Sequence, residues 1–179
     1  MRWVNALDNL LVLNFFSKLC FVFVAATFIA LTPANAAPSE EFLKAEQAYS
    51  LGDTDTAFSI WKKLSDEGDL NSQYYLATLC LMFEIPSSEY ARLSEQGLNP
   101  EDVGIPLFED AAEKNHPDSL TMMASLHERG FYKFESDTVM AMKYREKAAA
   151  TGDALAIYNL ADVLFRKGDK ISQERAYDL

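Results

Sequence analysis

The sequence predicts an all-α fold, an α/α superhelical solenoid of repeated helix pairs, preceded by a cleaved signal peptide. Three observations predict it. First, a phrase returns three times, as Ala57-(x)3-Trp61-(x)2-Leu64-Ser65-(x)2-Gly68, as Gly104-(x)3-Phe108-(x)2-Ala111-Ala112-(x)2-Asn115, and as Ala141-(x)2-Tyr144-(x)3-Ala148-Ala149-(x)2-Gly152. A unit that recurs at this scale cannot bury its own apolar face and stacks on its neighbours. Second, apolar residues recur at i, i+3 and i+4 throughout, and no stretch alternates for long with the period of a strand. Third, the N-terminus has a different composition from the rest and carries a processing signature.

That signature is an uncharged apolar run from Leu19 to Leu31 behind Lys18, followed by Thr32-Pro33-Ala34-Asn35-Ala36-Ala37. Small residues at 34 and 36 fit a signal-peptidase site, which puts cleavage after Ala36 and gives 1–36 as signal peptide and 37–179 as solenoid. The run is shorter than the ~20 residues that span a bilayer comfortably. The alternative is an uncleaved anchor that starts near Leu10 with Lys18 embedded. Cys20 follows Lys18-Leu19 rather than small residues, which argues against a lipoprotein.

The elements follow in order. Ser39 is an N-cap for a helix over 40–51, where Glu40 and Glu41 favour the positive end of the dipole. Gly52 stops it. Asp53 or Thr54 caps the next helix, whose apolar face carries Ala57, Phe58, Ile60, Trp61 and Leu64, and Gly68 ends it. A third helix runs from Asn71 to about Phe83. Pro86 breaks the pattern, and 86–102 reads as an insertion holding one short helix. A further helix covers about 103–115, with Pro106 acceptable in its first turn. Pro117 opens a helix that ends at Gly130, Asp137 caps one over Thr138–Thr151, and another covers Ala154–Lys167 before Gly168. The matched small residues stand 47 and 37 residues apart, and the insertion accounts for the longer interval. Ser72 and Ala77, Ser119 and Ala124, and Ala156 and Ala161 occupy equivalent places in the leading helix of each pair, where small side chains let helices approach closely.

Composition narrows the function. The formal net charge is −11, and removing Arg2, Lys18 and Asp8 with the leader makes it −12. Such an acid excess argues against nucleic acid and anionic membrane as partners, and suits a basic protein partner or a simply solvated surface. Cleavage also removes Cys20 and leaves Cys80 alone, so no internal disulfide forms. Cys80 lies in an apolar run and reads as a small buried hydrophobe, the alternative being an intermolecular or reactive thiol. His116 precedes Pro117 at a helix start and reads as a cap. His127, beside Glu128, reads as a partner of its helix C-terminus or of solvent. No zinc-ligand spacing, Gly-rich phosphate loop or nucleophile elbow is present. Asp53-Thr54-Asp55 is only a fragment of a calcium loop. The sequence therefore points to no catalytic residue, no metal ligand and no cofactor.

Taken together, these residues resemble the Sel-1-like repeat, a relative of the tetratricopeptide repeat. The best match runs through Ala141, Tyr144, Ala148, Ala149, Gly152, Asp153, Ala156, Tyr158, Asn159, Leu160, Ala161 and Gly168. A second unit matches through Phe108, Ala111, Ala112, Ser119, Met123, Ala124 and Gly130, and the first through Ala57, Trp61, Gly68, Gln73, Tyr74, Leu76 and Ala77. Gly104 stands where the pattern has alanine, Asn115 replaces the inter-helix glycine, and Ala77, Ala124 and Ala161 replace a glycine after leucine. The resemblance covers nearly all of 40–179, about three and a half repeats. It implies a superhelix that works as a scaffold or adaptor in protein complexes, with no catalytic residue to carry over.

The expected function is a non-catalytic protein–protein interaction scaffold in the bacterial periplasm or envelope. The alternatives are a secreted effector or modulator of a host protein, and a small envelope hydrolase that would need convergent carboxylates. By analogy with tetratricopeptide-like stacks the leading helices line the concave face, which makes Gln73, Tyr74, Thr78, Thr121, Ser125, Asn159 and Asp162 the candidate binding residues. Trp61, Phe108 and Tyr144 recur in register and are expected in the core. Ala176-Tyr177 would open another second helix by the repeat spacing. Either a short helix from 172 covers the last pair, or its apolar surface is open for dimerisation or partner docking.

Overall fold

The computed structural model describes residues 38–179, so the signal-peptide reading of 1–36 lies outside the described residues. Nine helices follow one another in the described part, with no strand among the described residues. They are α1 (Glu40–Ser50), α2 (Thr54–Asp66), α3 (Leu70–Met82), α4 (Ser87–Glu95), α5 (Pro100–Glu113), α6 (Pro117–Arg129), α7 (Thr138–Ala149), α8 (Ala154–Lys167) and α9 (Lys170–Tyr177). Helices pack as pairs: α1 on α2, α3 on α5 with the short α4 between them in the chain, α6 on α7 and α8 on α9, with α2–α3, α5–α6 and α7–α8 joining one pair to the next. The leading helices are therefore α1, α3, α6 and α8.

One chemical device makes the tight links between helices. A residue with left-handed backbone closes one helix, and the next residue caps the following one. Gly52, Gly68, Gly152 and Gly168 have φ between 79° and 93°. After each comes an aspartate, whose carboxylate accepts a backbone N–H three residues on: Thr56 at 3.1 Å, Ser72 at 2.7 Å, Ala156 at 2.8 Å and Ser172 at 2.9 Å. The first residue satisfies orphan carbonyls and the second satisfies orphan N–H groups, so the chain reverses without unpaired backbone. Asn115 does the glycine's work at φ 63°, with His116 N–H bonded back to Ala111 O at 3.0 Å. Asparagine tolerates this conformation better than most side chains, which is why the departure from the repeat pattern is harmless.

The other departure is more demanding. Gly104 of α5 faces α3 so closely that an added Cβ would lie 2.6 Å from Leu81 Cδ1 and 2.9 Å from both Ala77 O and Cys80 Cβ. Here an alanine does not fit.

The core forms in three steps along the stack. The first cluster centres on Trp61 with Phe42, Phe58, Leu64, Leu76 and Leu79. The second centres on Phe108 with Leu120, Met123 and Leu126, and the third holds only Ala149, Leu160 and Leu164. Ser72, Ala77, Ser119, Ala124 and Ala156 are buried as their size suggests, while Ala161 is half-buried. Trp61 and Phe108 are fully enclosed at 0% exposure, but Tyr144 is only half-buried and stacks on His127 at 5.4 Å.

Several boundaries differ from the sequence reading. Helix α5 begins at Pro100 rather than near 103, because Pro100 is pre-set for a first helical position and Asn99 N–H donates to Asp102 Oδ2 at 2.8 Å. Pro106 thus stands inside the helix and not in its first turn, where it withholds the N–H that Asp102 O would accept. Helix α3 ends at Met82, and Phe83 takes the left-handed position (φ 59°) with Glu84 N–H closing on Leu79 O at 2.9 Å. The helix expected to reach Thr151 stops at Ala149. The terminal helix begins at Lys170, since Asp169 caps it, two residues before the expected start.

Candidate functional site

The caps set a common register on the leading helices. Counting from Asp69, His116 and Asp153, the residues Tyr74, Thr121 and Tyr158 are equivalent, and so are Thr78, Ser125 and Asp162. Each equivalent pair lies one turn apart on its helix, so the six positions form a stripe across α3, α6 and α8. All are at least partly exposed, and Tyr158 is the most open at 66%. Tyr158 was not among the candidate residues although the register selects it.

The stripe is polar but partly committed to its own helices. Thr78 Oγ1 donates to Tyr74 O at 2.9 Å and Ser125 Oγ to Thr121 O at 3.1 Å, which leaves their hydroxyl lone pairs for a ligand. Asp162 accepts from Arg166 Nε at 3.0 Å. The Tyr74 ring packs edge-on against Phe108 at 5.6 Å and Tyr75 at 5.5 Å. Burial, and then the charge of Asp118, push its hydroxyl pKa upward.

Two candidates stand apart. Gln73 is only 6% exposed, and its Nε2 donates to Asp110 Oδ2 at 2.6 Å. It closes the α3–α5 seam instead of facing a groove, because it lies one turn before Ala77, on the face of α3 that meets Gly104 of α5. Asn159 is half-buried and equivalent in register to Tyr75 and Met122, not to the rest of the stripe.

The histidines and the cysteine are accounted for by packing. His116 is buried at 1% exposure; its Nδ1 accepts Ser119 N–H at 3.3 Å and its Nε2 lies 3.1 Å from Asn71 Oδ1. That pattern fits the neutral ring with Nε2 protonated, donating to Asn71. Burial drives its pKa down despite the nearby carboxylates of Asp118, Asp69 and Asp153. His127 differs from its reading as a partner of the helix end or of solvent. Its ring lies between Phe134 at 4.5 Å and Tyr144 at 5.4 Å, because the 131–136 loop folds back over α6. Cys80 is buried, and desolvation pushes its thiol up to about 11, as an inert core thiol requires.

Shifted carboxyls all move downward. Asp53 and Asp169 are held low by the hydrogen bonds of their caps. Glu40, Glu89 and Asp110 are held low by their hydrogen bonds to Lys44, Arg92 and Lys114. A general acid needs the opposite shift. No cluster of three or more metal-ligating side chains occurs among the described residues.

Among the concavities away from the stripe, two differ sharply in their lining. One, of 370 Å³, is lined by Glu101, Asp102, Ile105, Pro106, Tyr132 and Lys133. The other, of 510 Å³, lies between α1, α2 and α3 and is lined by Glu46, Gln47, Tyr49, Ser50, Trp61 and Tyr75. Sequence reasoning missed the second because its residues come from three helices whose facing only the packing decides. At the other end, α9 covers part of α8. Ala176 packs on the third cluster and Arg175 Nη2 lies 2.9 Å from Glu146 Oε1. Leu155, Tyr158, Phe165, Ile171 and Tyr177 remain exposed. Both expected arrangements therefore coexist: a short covering helix and an open apolar surface.

No family model and no curated protein matches the sequence. Solved structures do match. A protective antigen present in uropathogenic Escherichia coli strains, displaying an SLR fold, aligns with a TM-score of 0.58 at 18% identity over 77% of this chain. A Sel1 repeat protein from Oxalobacter formigenes aligns with a TM-score of 0.53 at 24% identity over 81% of this chain. The chain spans 28% of the first structure and 56% of the second. Residues 38–179 thus have the fold of Sel1-like repeat proteins, the all-α solenoid that the three recurring phrases predict.

Proposed function

We propose that the protein is a non-catalytic protein–protein interaction scaffold, exported and processed after Ala36, that works as an adaptor in the bacterial periplasm or envelope. The observation that carries this reading is the stripe of equivalent, part-exposed positions on three leading helices, Tyr74/Thr78, Thr121/Ser125 and Tyr158/Asp162. A solenoid repeats such positions at a fixed spacing, so an extended segment of a partner meets the same chemistry at each step. The likeness in fold to Sel1 repeat proteins supports the reading, and the formal net charge of −11 favours a basic partner. The open surface of α8 and α9 is a second contact zone, for a partner or for another copy of the chain.

The test is affinity capture with crosslinking from the periplasm and envelope of the native cell. The protein is compared with Thr121→Arg, which puts bulk and like charge to the partner in the middle of the stripe. A reproducible partner that Thr121→Arg loses supports the scaffold reading. A partner retained by Thr121→Arg but lost when Tyr177 and Phe165 are replaced by serine moves the contact to the open end. Capture of no partner by a folded protein overturns the reading. Recovery of the protein from culture supernatant instead of the periplasm replaces the adaptor with a secreted modulator.

A further inference from the structure

We propose that the exposed face of α8 binds a second copy of this chain, the two α8 helices meeting antiparallel about a two-fold axis. Leu155, Tyr158, Asp162 and Phe165 follow one another at intervals of three, four and three residues. That spacing keeps side chains on one face of a helix. Leu155, Tyr158 and Phe165 stand 59%, 66% and 51% exposed. The core does not use this face, because α8 buries the opposite one, Ala156, Leu160 and Leu164. Tyr177 of α9 widens the patch, its ring edge-on to Phe165 at 6.4 Å. Large apolar side chains gathered on one exposed face mark a contact surface.

Charge selects what covers it. Between residues 154 and 179 the cations Arg166, Lys167, Lys170 and Arg175 equal the acidic side chains in number, so the acid excess of the chain, −11 in all, lies elsewhere. A basic partner gains no net attraction at this end, while two copies that met through the other repeats would set like charge against like. The α8 face is also complementary to itself. In an antiparallel pair centred level with Leu160, Leu155 of each copy lies against Phe165 of the other, and Tyr158 lies against Asp162. Asp162 holds Arg166 Nε through Oδ1 at 3.0 Å, which leaves Oδ2 to accept the Tyr158 hydroxyl of the other copy. A parallel pair would instead set Asp162 against Asp162. Tyr158 and Asp162 also belong to the stripe on the leading helices, so a partner segment that reaches this third step and a second copy exclude each other.

The inference rests on the scaffold reading only in taking this face as a contact zone. Its test is sedimentation velocity of the purified protein over a concentration series up to ~500 μM, several times the Kd that a small interface gives, ~10–100 μM. Leu155→Lys and Phe165→Glu are run alone and as an equimolar mixture. The wild type is expected to pass from monomer to dimer, and more readily at higher salt, because the two acidic bodies then repel less. Either variant alone buries a charge against an apolar side chain twice over, and weakens the dimer at least ~tenfold. In the mixture the new lysine of one copy meets the new glutamate of the other, and the second half of the contact is the natural Leu155–Phe165 pair. The dimer therefore returns, to within about threefold of the wild-type Kd, which a misfolded variant could not do. The proposal is overturned by a wild type that stays monomeric, by a dimer that either variant leaves unchanged, by a mixture that stays monomeric, or by assembly that continues past the dimer. If the capture experiment yields a partner while the protein stays monomeric, the α8 inference fails and the scaffold stands. If the dimer behaves as described and no partner is captured, the scaffold reading fails instead.

Discussion

The two ends of the solenoid carry the same repeat and bury it very differently. At the N-terminal end Trp61 of α2 lies between α1 and α3, ringed by Phe42, Phe58, Leu64, Leu76 and Leu79. At the C-terminal end α8 has α7 on one side and only the eight residues of α9 on the other. Its buried cluster shrinks to Ala149, Leu160 and Leu164, while Tyr158 and Tyr177 stand 66% and 79% exposed. The recurring aromatic shows the same gradient: enclosed as Trp61 and Phe108, half-buried as Tyr144. In a one-dimensional stack each unit borrows its core from its neighbours, so burial is a property of position as much as of sequence. The recurring aromatic position is fully enclosed in two repeats and only half-buried, against His127 and the second cluster, in the third.

The sharpest break of this comparison is a pair of truncations. Trp61→Ala is expected to destabilise the protein by ~3–5 kcal/mol, since a fully enclosed aromatic leaves a large cavity. Tyr158→Ala is expected to fall within the surface scatter of ~0.5 kcal/mol. Denaturant unfolding of both variants checks the contrast; similar losses in the two would erase the gradient.

A middle-sized effect tests the junction between the ends. Gly104→Ala places a methyl group against Leu81, Cys80 and the Ala77 carbonyl, and is expected to cost ~1–3 kcal/mol by overpacking. The cost should appear as faster hydrogen exchange in both α3 and α5. Wild-type protection in both helices would mean that the seam yields without strain.

The smallest expected effect is a pH dependence centred on His116. Burial lowers its folded pKa below the ordinary value near ~6.5. Above the unfolded value the ring is neutral in both states, and its cap is fully present. As pH falls below that value, the unfolded chain takes up a proton that the folded chain refuses, so stability declines until the folded pKa is reached. His116→Asn keeps a side chain that caps well and is expected to flatten this slope. An unchanged slope in the variant would place the titrating group elsewhere.

Much of the fold was legible because the repeat sets its own punctuation. Gly52-Asp53, Gly68-Asp69 and Gly152-Asp153 each spell one helix end and the next helix start, and the backbone answers letter for letter. The start of α5 was misread because Asn99, Pro100 and Asp102 sit inside a Pro- and Ser-rich stretch that looks like loop. Helix α9 was placed two residues late because the repeat spacing outweighed the local cap at Asp169. The candidate face was legible only in part. Equal spacing on helices is read directly from sequence, which finds Tyr74, Thr78, Thr121, Ser125 and Asp162. Whether a side chain at such a position meets a neighbouring helix is not, which is why Gln73 fell in the seam and Tyr158 was passed over.

The sequence by itself determined where helices begin and end, that they come in pairs, and which aromatics recur. Capping, positive-φ residues and apolar spacing act over a few residues and are written in the chain. The tertiary structure alone decided which repeat closes its core, that Gly104 admits no side chain, and that Glu46, Tyr49, Trp61 and Tyr75 meet around one cavity. Those outcomes depend on the distance between packed helices, a quantity that no single repeat contains.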